Sequence, residues 1–100
     1  MQLLEIIDRI SMIRARANLS ARELSLRIGK SESYINRLEY RKNFEPSISA
    51  ISDIVEACGS SLVELFYYSI PQFKLDEEII NLLKTATDKK KQAIIDLLTS

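Results

Sequence analysis

The sequence predicts an all-α chain, and three observations carry that prediction. Glycine and proline number only two each in 100 residues, so little interrupts a helical backbone. Apolar residues recur three and four positions apart, between serines, threonines and glycines placed as helix starts and stops. No segment reads as a strand. With 46% hydrophobic residues, the chain can build a packed core and is not expected to be disordered.

The elements follow in order. Leu3, Leu4, Ile6, Ile7, Ile10 and Ile13 predict a first helix over about 3–17, broken at Asn18-Leu19. Ser20 with Glu23 three residues on spells a capping box, opening a second helix over about 21–28. Gly29 follows its last apolar position, where a left-handed residue is wanted. Ser31 is placed to cap a third helix reaching about Tyr40. After a polar loop over 41–46, Ser47 caps a fourth helix carrying Ile48, Ile51, Ile54 and Val55, which ends at Cys58-Gly59. Ser61 opens a short fifth helix through Leu62, Leu65 and Phe66. Ile70-Pro71 is expected to end that unit, because the residue before a proline resists the helical region. Beyond it, Leu75, Ile79, Leu82, Leu83 and Ala86 form one stripe. Thr87 or Asp88 caps a last helix with Ile94, Ile95, Leu97 and Leu98.

Composition narrows the function. Histidine is absent, which removes the commonest general base and the commonest metal ligand. Cys58 is the sole cysteine, so neither an internal disulfide nor a thiolate metal site is expected. Glu5, Asp8 and Arg9 interrupt the N-terminal apolar residues, so a signal peptide is not expected there. No apolar run reaches membrane-spanning length, and the cytoplasm is the expected compartment. The formal net charge is zero, yet residues 9–42 hold nine basic residues against three acidic, a balance of +6. Residues 43–100 hold five basic and nine acidic, a balance of −4. Clustered basic charge suits phosphate binding, but solvated helix faces account for it equally well.

The most informative stretch runs from Ala21 to Tyr40. Ser25 stands where the second helix meets a partner at close range and a small side chain is needed. Gly29 stands at the turn. Leu24, Ile28, Ile35 and Leu38 can close a small core between two steeply crossing helices. Here the sequence resembles the Cro and repressor-type (XRE-like) helix-turn-helix regulators of phages and bacteria. The resemblance rests on SARELSLRIGKSESYINRLEYRK (20–42) followed by PSISAISDIVEACGSSLVELF (46–66), and covers roughly residues 3–68.

That resemblance implies a five-helix lambda-repressor-like DNA-binding domain over 1–70, with a C-terminal helical extension over 71–100. It implies that the third helix enters the major groove of double-stranded DNA. Ser20 and Arg22 then lie near a phosphate. Glu32, Ser33 and Arg37 face base edges, with Ser31 at the helix start and Tyr34 and Asn36 as further contacts. Arg41 and Lys42 then touch the backbone. The chemistry agrees: arginine can bond guanine O6 and N7 together, and glutamate can accept from cytosine N4. Arg14 and Glu39 are implied as an ion pair bracing the first helix against the third. The chain departs from the family pattern at Ala21, where Gln is frequent, and at Arg41, where Gly is frequent.

Blander readings stand beside these. Tyr34 serves equally well as a core residue, and Cys58 is expected as a buried small hydrophobe. Tyr67, Tyr68 and Phe73 fit either an interface or a core. The extension needs somewhere to bury two apolar faces, and a homodimer is expected to supply it. The expected function is a sequence-specific transcriptional regulator acting as a repressor. No cofactor, metal, small-molecule ligand or membrane partner is expected, and no enzymatic activity. The alternative is a protein-interaction module, adaptor or antitoxin-like, on the same fold.

Overall fold

A computed structural model of the chain describes residues 2–40 and 45–100. Among these, seven helices and no strand form. They are α1 (Leu3–Arg16), α2 (Ala21–Arg27), α3 (Tyr34–Glu39), α4 (Ile48–Ala57), α5 (Leu62–Leu65), α6 (Ile70–Thr85) and α7 (Asp88–Thr99). None of the described helices is long and apolar enough to cross a membrane. The chain divides into two compact units, Met1–Tyr68 and Ser69–Ser100.

In the first unit, one side of each helix turns inward. Ile7, Ile10 and Ile13 of α1 are buried at three-residue spacing, while Leu3 and Leu4 stay exposed. Leu24, Ile35, Leu38, Ile54, Val55 and Leu65 complete the core from the other four helices. Ile28 is only half-buried, since it is the C-cap of α2 rather than part of its inward face.

Sequence-coded stops bound three of these helices. After α1, Asn18 adopts φ +56°, and Leu19 N–H reaches back to the Arg14 carbonyl at 3.4 Å. After α2, Gly29 adopts φ +73°, and Lys30 N–H reaches the Ser25 carbonyl at 3.0 Å. Gly59 repeats the pattern after α4, with Ser60 N–H on the Val55 carbonyl at 2.8 Å. These back-bonds satisfy carbonyls that a helix end leaves open.

Three arginines of α1 lock the unit from within. Arg14 makes a bidentate pair with Glu39 of α3 at 2.6 and 2.8 Å, and donates to the Leu19 carbonyl at 2.9 Å. The hydrogen bond to Glu39 raises the Arg14 pKa against the opposing effect of burial. Arg16 makes a second bidentate pair at 2.9 and 2.6 Å with Glu64, which is only 2% exposed and also accepts from Ser60 Oγ at 2.5 Å. Arg9 donates to the carbonyls of Leu65, Tyr67 and Tyr68, closing the C-terminal end of α5. Fork-shaped guanidinium groups suit such paired acceptors.

Two boundaries differ from the sequence reading. Ser31 does not cap α3. The Tyr34 N–H bonds to the Ser31 carbonyl at 3.0 Å across a tight turn, and regular helix starts only after Ser33. The first unit ends at Tyr68, and Ile70-Pro71 lies just past it as the opening of α6, after an extended Ser69. Proline is tolerated in a first helical turn, because the N–H it lacks has no partner within the helix there. In the second unit, Thr87 caps α7, accepting from Lys90 N–H at 3.2 Å.

Cys58 is buried, and desolvation pushes its thiol pKa up, opposed by Arg14, Arg16 and Arg27. A raised folded pKa means the proton is held more tightly in the folded state. Stability is therefore fully present below the unfolded thiol value of about 8.5 and declines as pH rises through the folded value. Iodoacetamide at neutral pH should label Cys58 slowly in the native protein and rapidly in urea. Equal rates would contradict its burial.

Candidate nucleic-acid interface

The candidate interface comprises α2, the turn after it, and α3. The central link is Ser25, wholly buried on α2. Its Oγ accepts the Ile35 N–H at 2.9 Å and donates to the Ala21 carbonyl at 2.7 Å. Ile35 lies in the first turn of α3, whose amides have no partner within the helix. Ser33, at the N-cap position with φ −97° and ψ 2°, makes no side-chain cap. Ser25 therefore caps α3 from the neighbouring helix and fixes where it begins.

The two faces of α3 then separate cleanly. Tyr34, Ile35 and Leu38 are buried, whereas Ser33, Asn36, Arg37 and Tyr40 are exposed. Of the residues implied as DNA contacts, Ser31, Glu32, Ser33, Asn36 and Arg37 all lie on the exposed side. Tyr34 is the exception. Its ring belongs to the core, burial raises its hydroxyl pKa, and Lys30 Nζ sits 5.4 Å from its ring centroid. Arg41 and Lys42 lie outside the described residues.

At the start of α2, Ser20 completes a capping box. Its Oγ accepts Glu23 N–H at 3.0 Å, and its own N–H is directed at Glu23 Oε1 at 3.4 Å. Arg22 pairs with Glu32 at 3.1 Å, with the two side chains 70% and 66% exposed. This joins the start of α2 to the turn that leads into α3. It also gives Glu32 a role that sequence reasoning missed, since its carboxylate holds an arginine of the same surface. So exposed a pair contributes about 0–1 kcal/mol to stability.

The basic count along the sequence overstates what this surface offers. Arg9, Arg14 and Arg16 are engaged inside the domain. Among the described residues, Arg22, Arg27, Lys30 and Arg37 are the exposed cations of α2, the turn and α3. Arg16 and Glu64 also escaped the sequence reading. The Ser61-Leu62-Val63-Glu64 spacing explains Glu64 locally, because the Glu64 N–H does reach the Ser61 hydroxyl at 3.2 Å. Nothing local points its carboxylate at α1.

Residues 10–65 match the helix-turn-helix family model. The chain belongs to the Cro/C1-type helix-turn-helix family. No curated protein and no solved structure gives a significant match. The matched residues include α2, the Gly29 turn and α3. Membership makes this a DNA-binding regulatory domain.

A methyl group placed on Gly29 would meet nothing within 4 Å, so the requirement for glycine there is conformational and not steric. Gly29→Ala should cost about 1 kcal/mol, and Gly29→Asn less, because asparagine tolerates the left-handed region. Urea denaturation of the two variants checks the order, and an alanine variant as stable as wild type would rule out the turn's demand.

Proposed function

We propose that this helix-turn-helix protein is a sequence-specific transcriptional regulator that inserts α3 into the major groove of double-stranded DNA. The observation that supports it most is the exposed face of Ser33, Asn36 and Arg37 on a helix whose start is fixed by Ser25. A rigidly presented helix with a polar outer face is what groove reading requires. Arg37 is the base-reading residue, able to bond O6 and N7 of one guanine together. Ser20 and Arg22 contact phosphate, and Glu32 orients Arg22 toward it.

In this reading residues 1–70 bind DNA and residues 71–100 join two chains. A homodimer presents two copies of α3 to half-sites roughly 34 Å apart. It acts in the cytoplasm as a repressor, an output that requires nothing more than occupying a site.

Selection from a randomised duplex library at two salt concentrations tests the reading. A palindromic site should be enriched, and its binding should weaken as salt rises. Binding without enrichment would refute sequence-specific recognition. On the selected site, Arg37→Ala should reduce discrimination between the correct and a substituted base pair by roughly 1–3 kcal/mol. Unchanged discrimination would remove Arg37 from the reading face.

A further inference from the structure

The Arg22–Glu32 pair differs from the two that brace the first unit. Arg14–Glu39 and Arg16–Glu64 are bidentate, and their carboxylates are 15% and 2% exposed. Arg22 makes a single bond to Glu32, from Nε to Oε2 at 3.1 Å, and both side chains stand largely in water. Of the three carboxylates over residues 20–40, Glu39 holds Arg14 and Glu23 closes the capping box. Glu32 holds a side chain as exposed as its own, and a pair so exposed does little for the fold. An anion beside a phosphate-facing arginine therefore needs another account.

Its charge weighs heavily there. Residues 20–40 carry four cations, Arg22, Arg27, Lys30 and Arg37, and Arg14 neutralises Glu39. Glu23 and Glu32 then stand against the four cations, a balance of +2, which becomes +3 without Glu32. The effect depends on how closely a duplex approaches. Loose contact is held by net charge, and Arg22 with Glu32 sums to zero. A docked chain instead makes hydrogen bonds to phosphate at fixed geometry. Glu32 engages Arg22 through Nε, which leaves both terminal nitrogens for a phosphate oxygen. The pair thus withholds a cation from loose contact and supplies it on docking.

We propose that Glu32 is a specificity-determining residue that acts against unrelated sequences, cancelling Arg22 until α3 is seated in its groove. This rests on the sequence-specific reading above and adds what releases the chain from duplexes that α3 does not match.

Full-length variants at these two exposed positions test it, each titrated with the selected duplex and with one of unrelated sequence across a range of salt. Glu32→Gln removes the charge and keeps an acceptor for Nε. It should bind the unrelated duplex several-fold more tightly, with a salt slope steeper by roughly 0.9. Its affinity for the selected site should rise by less, so discrimination falls. Arg22→Gln combined with Glu32→Gln replaces one neutral pair by another. That double variant should match wild type in affinity and salt slope on the unrelated duplex, yet bind the selected site several-fold more weakly. A Glu32→Gln variant that gains equally on both duplexes, or on neither, would overturn the proposal, as would a double variant that keeps wild-type affinity for the selected site. A wild-type chain that binds every duplex alike, or none, defeats sequence-specific recognition and this role with it. A wild-type preference for the selected site that Glu32→Gln leaves unchanged defeats only the role of Glu32.

Discussion

The Ser25 hydroxyl is the contact on which the placement of α3 depends. It takes the amide proton of Ile35 and gives its own to the Ala21 carbonyl, so one oxygen serves two helices. The α3 helix has six residues, too few to persist alone in water. Its own N-cap residue offers no side-chain bond. Capping from α2 and the burial of Tyr34, Ile35 and Leu38 must therefore hold it. A side chain larger than serine would push the helices apart, and an apolar one would leave the Ile35 amide buried without a partner, at about 1–3 kcal/mol.

Around that contact the arginines of α1 work as internal braces. Arg14 joins α1 to α3, and Arg16 and Arg9 join it to α5 and the carbonyls just after it. Each satisfies groups that the fold has removed from water. Glu64 is the clearest case, a nearly fully buried carboxylate accepting from both Arg16 and Ser60. Buried pairs of this sort contribute little net stability compared with apolar residues of equal volume, yet removing one partner is costly. They fix the relative positions of helices more than they strengthen the fold.

The same arrangement divides the basic residues into two groups. Those of α1 bond to other parts of the same unit, and Arg22, Arg27, Lys30 and Arg37 of α2, the turn and α3 are exposed. Among the described residues, this outward surface carries four cations, so counterion release has less to act on there than the basic count of the sequence suggests. The Arg22–Glu32 pair adds a carboxylate to that surface and ties the start of α2 to the turn before α3.

Much was legible in the chain alone. The capping box at Ser20, the left-handed stops at Asn18 and Gly29, and the spacing of Leu24, Ser25, Ile35 and Leu38 are local signals, set by interactions within a few residues. They determined the helices of the first unit and its family. Other features required the tertiary structure. The partner of Glu64 lies 48 positions away in the chain, and a carboxylate's sequence neighbours carry no record of which distant arginine will reach it. The late start of α3 and the burial of Tyr34 depend on how α2 lies against it. Pro71 obeys the same logic, since the ring is compatible with either ending or opening a helix and the extended Ser69 before it makes it an opening. The sequence by itself determined which segments are helical and where most of them stop, because those choices are made by neighbours along the chain. Only the tertiary structure decided that Arg9 and Arg16 join Arg14 in bracing the unit, because their partners are brought to them by packing.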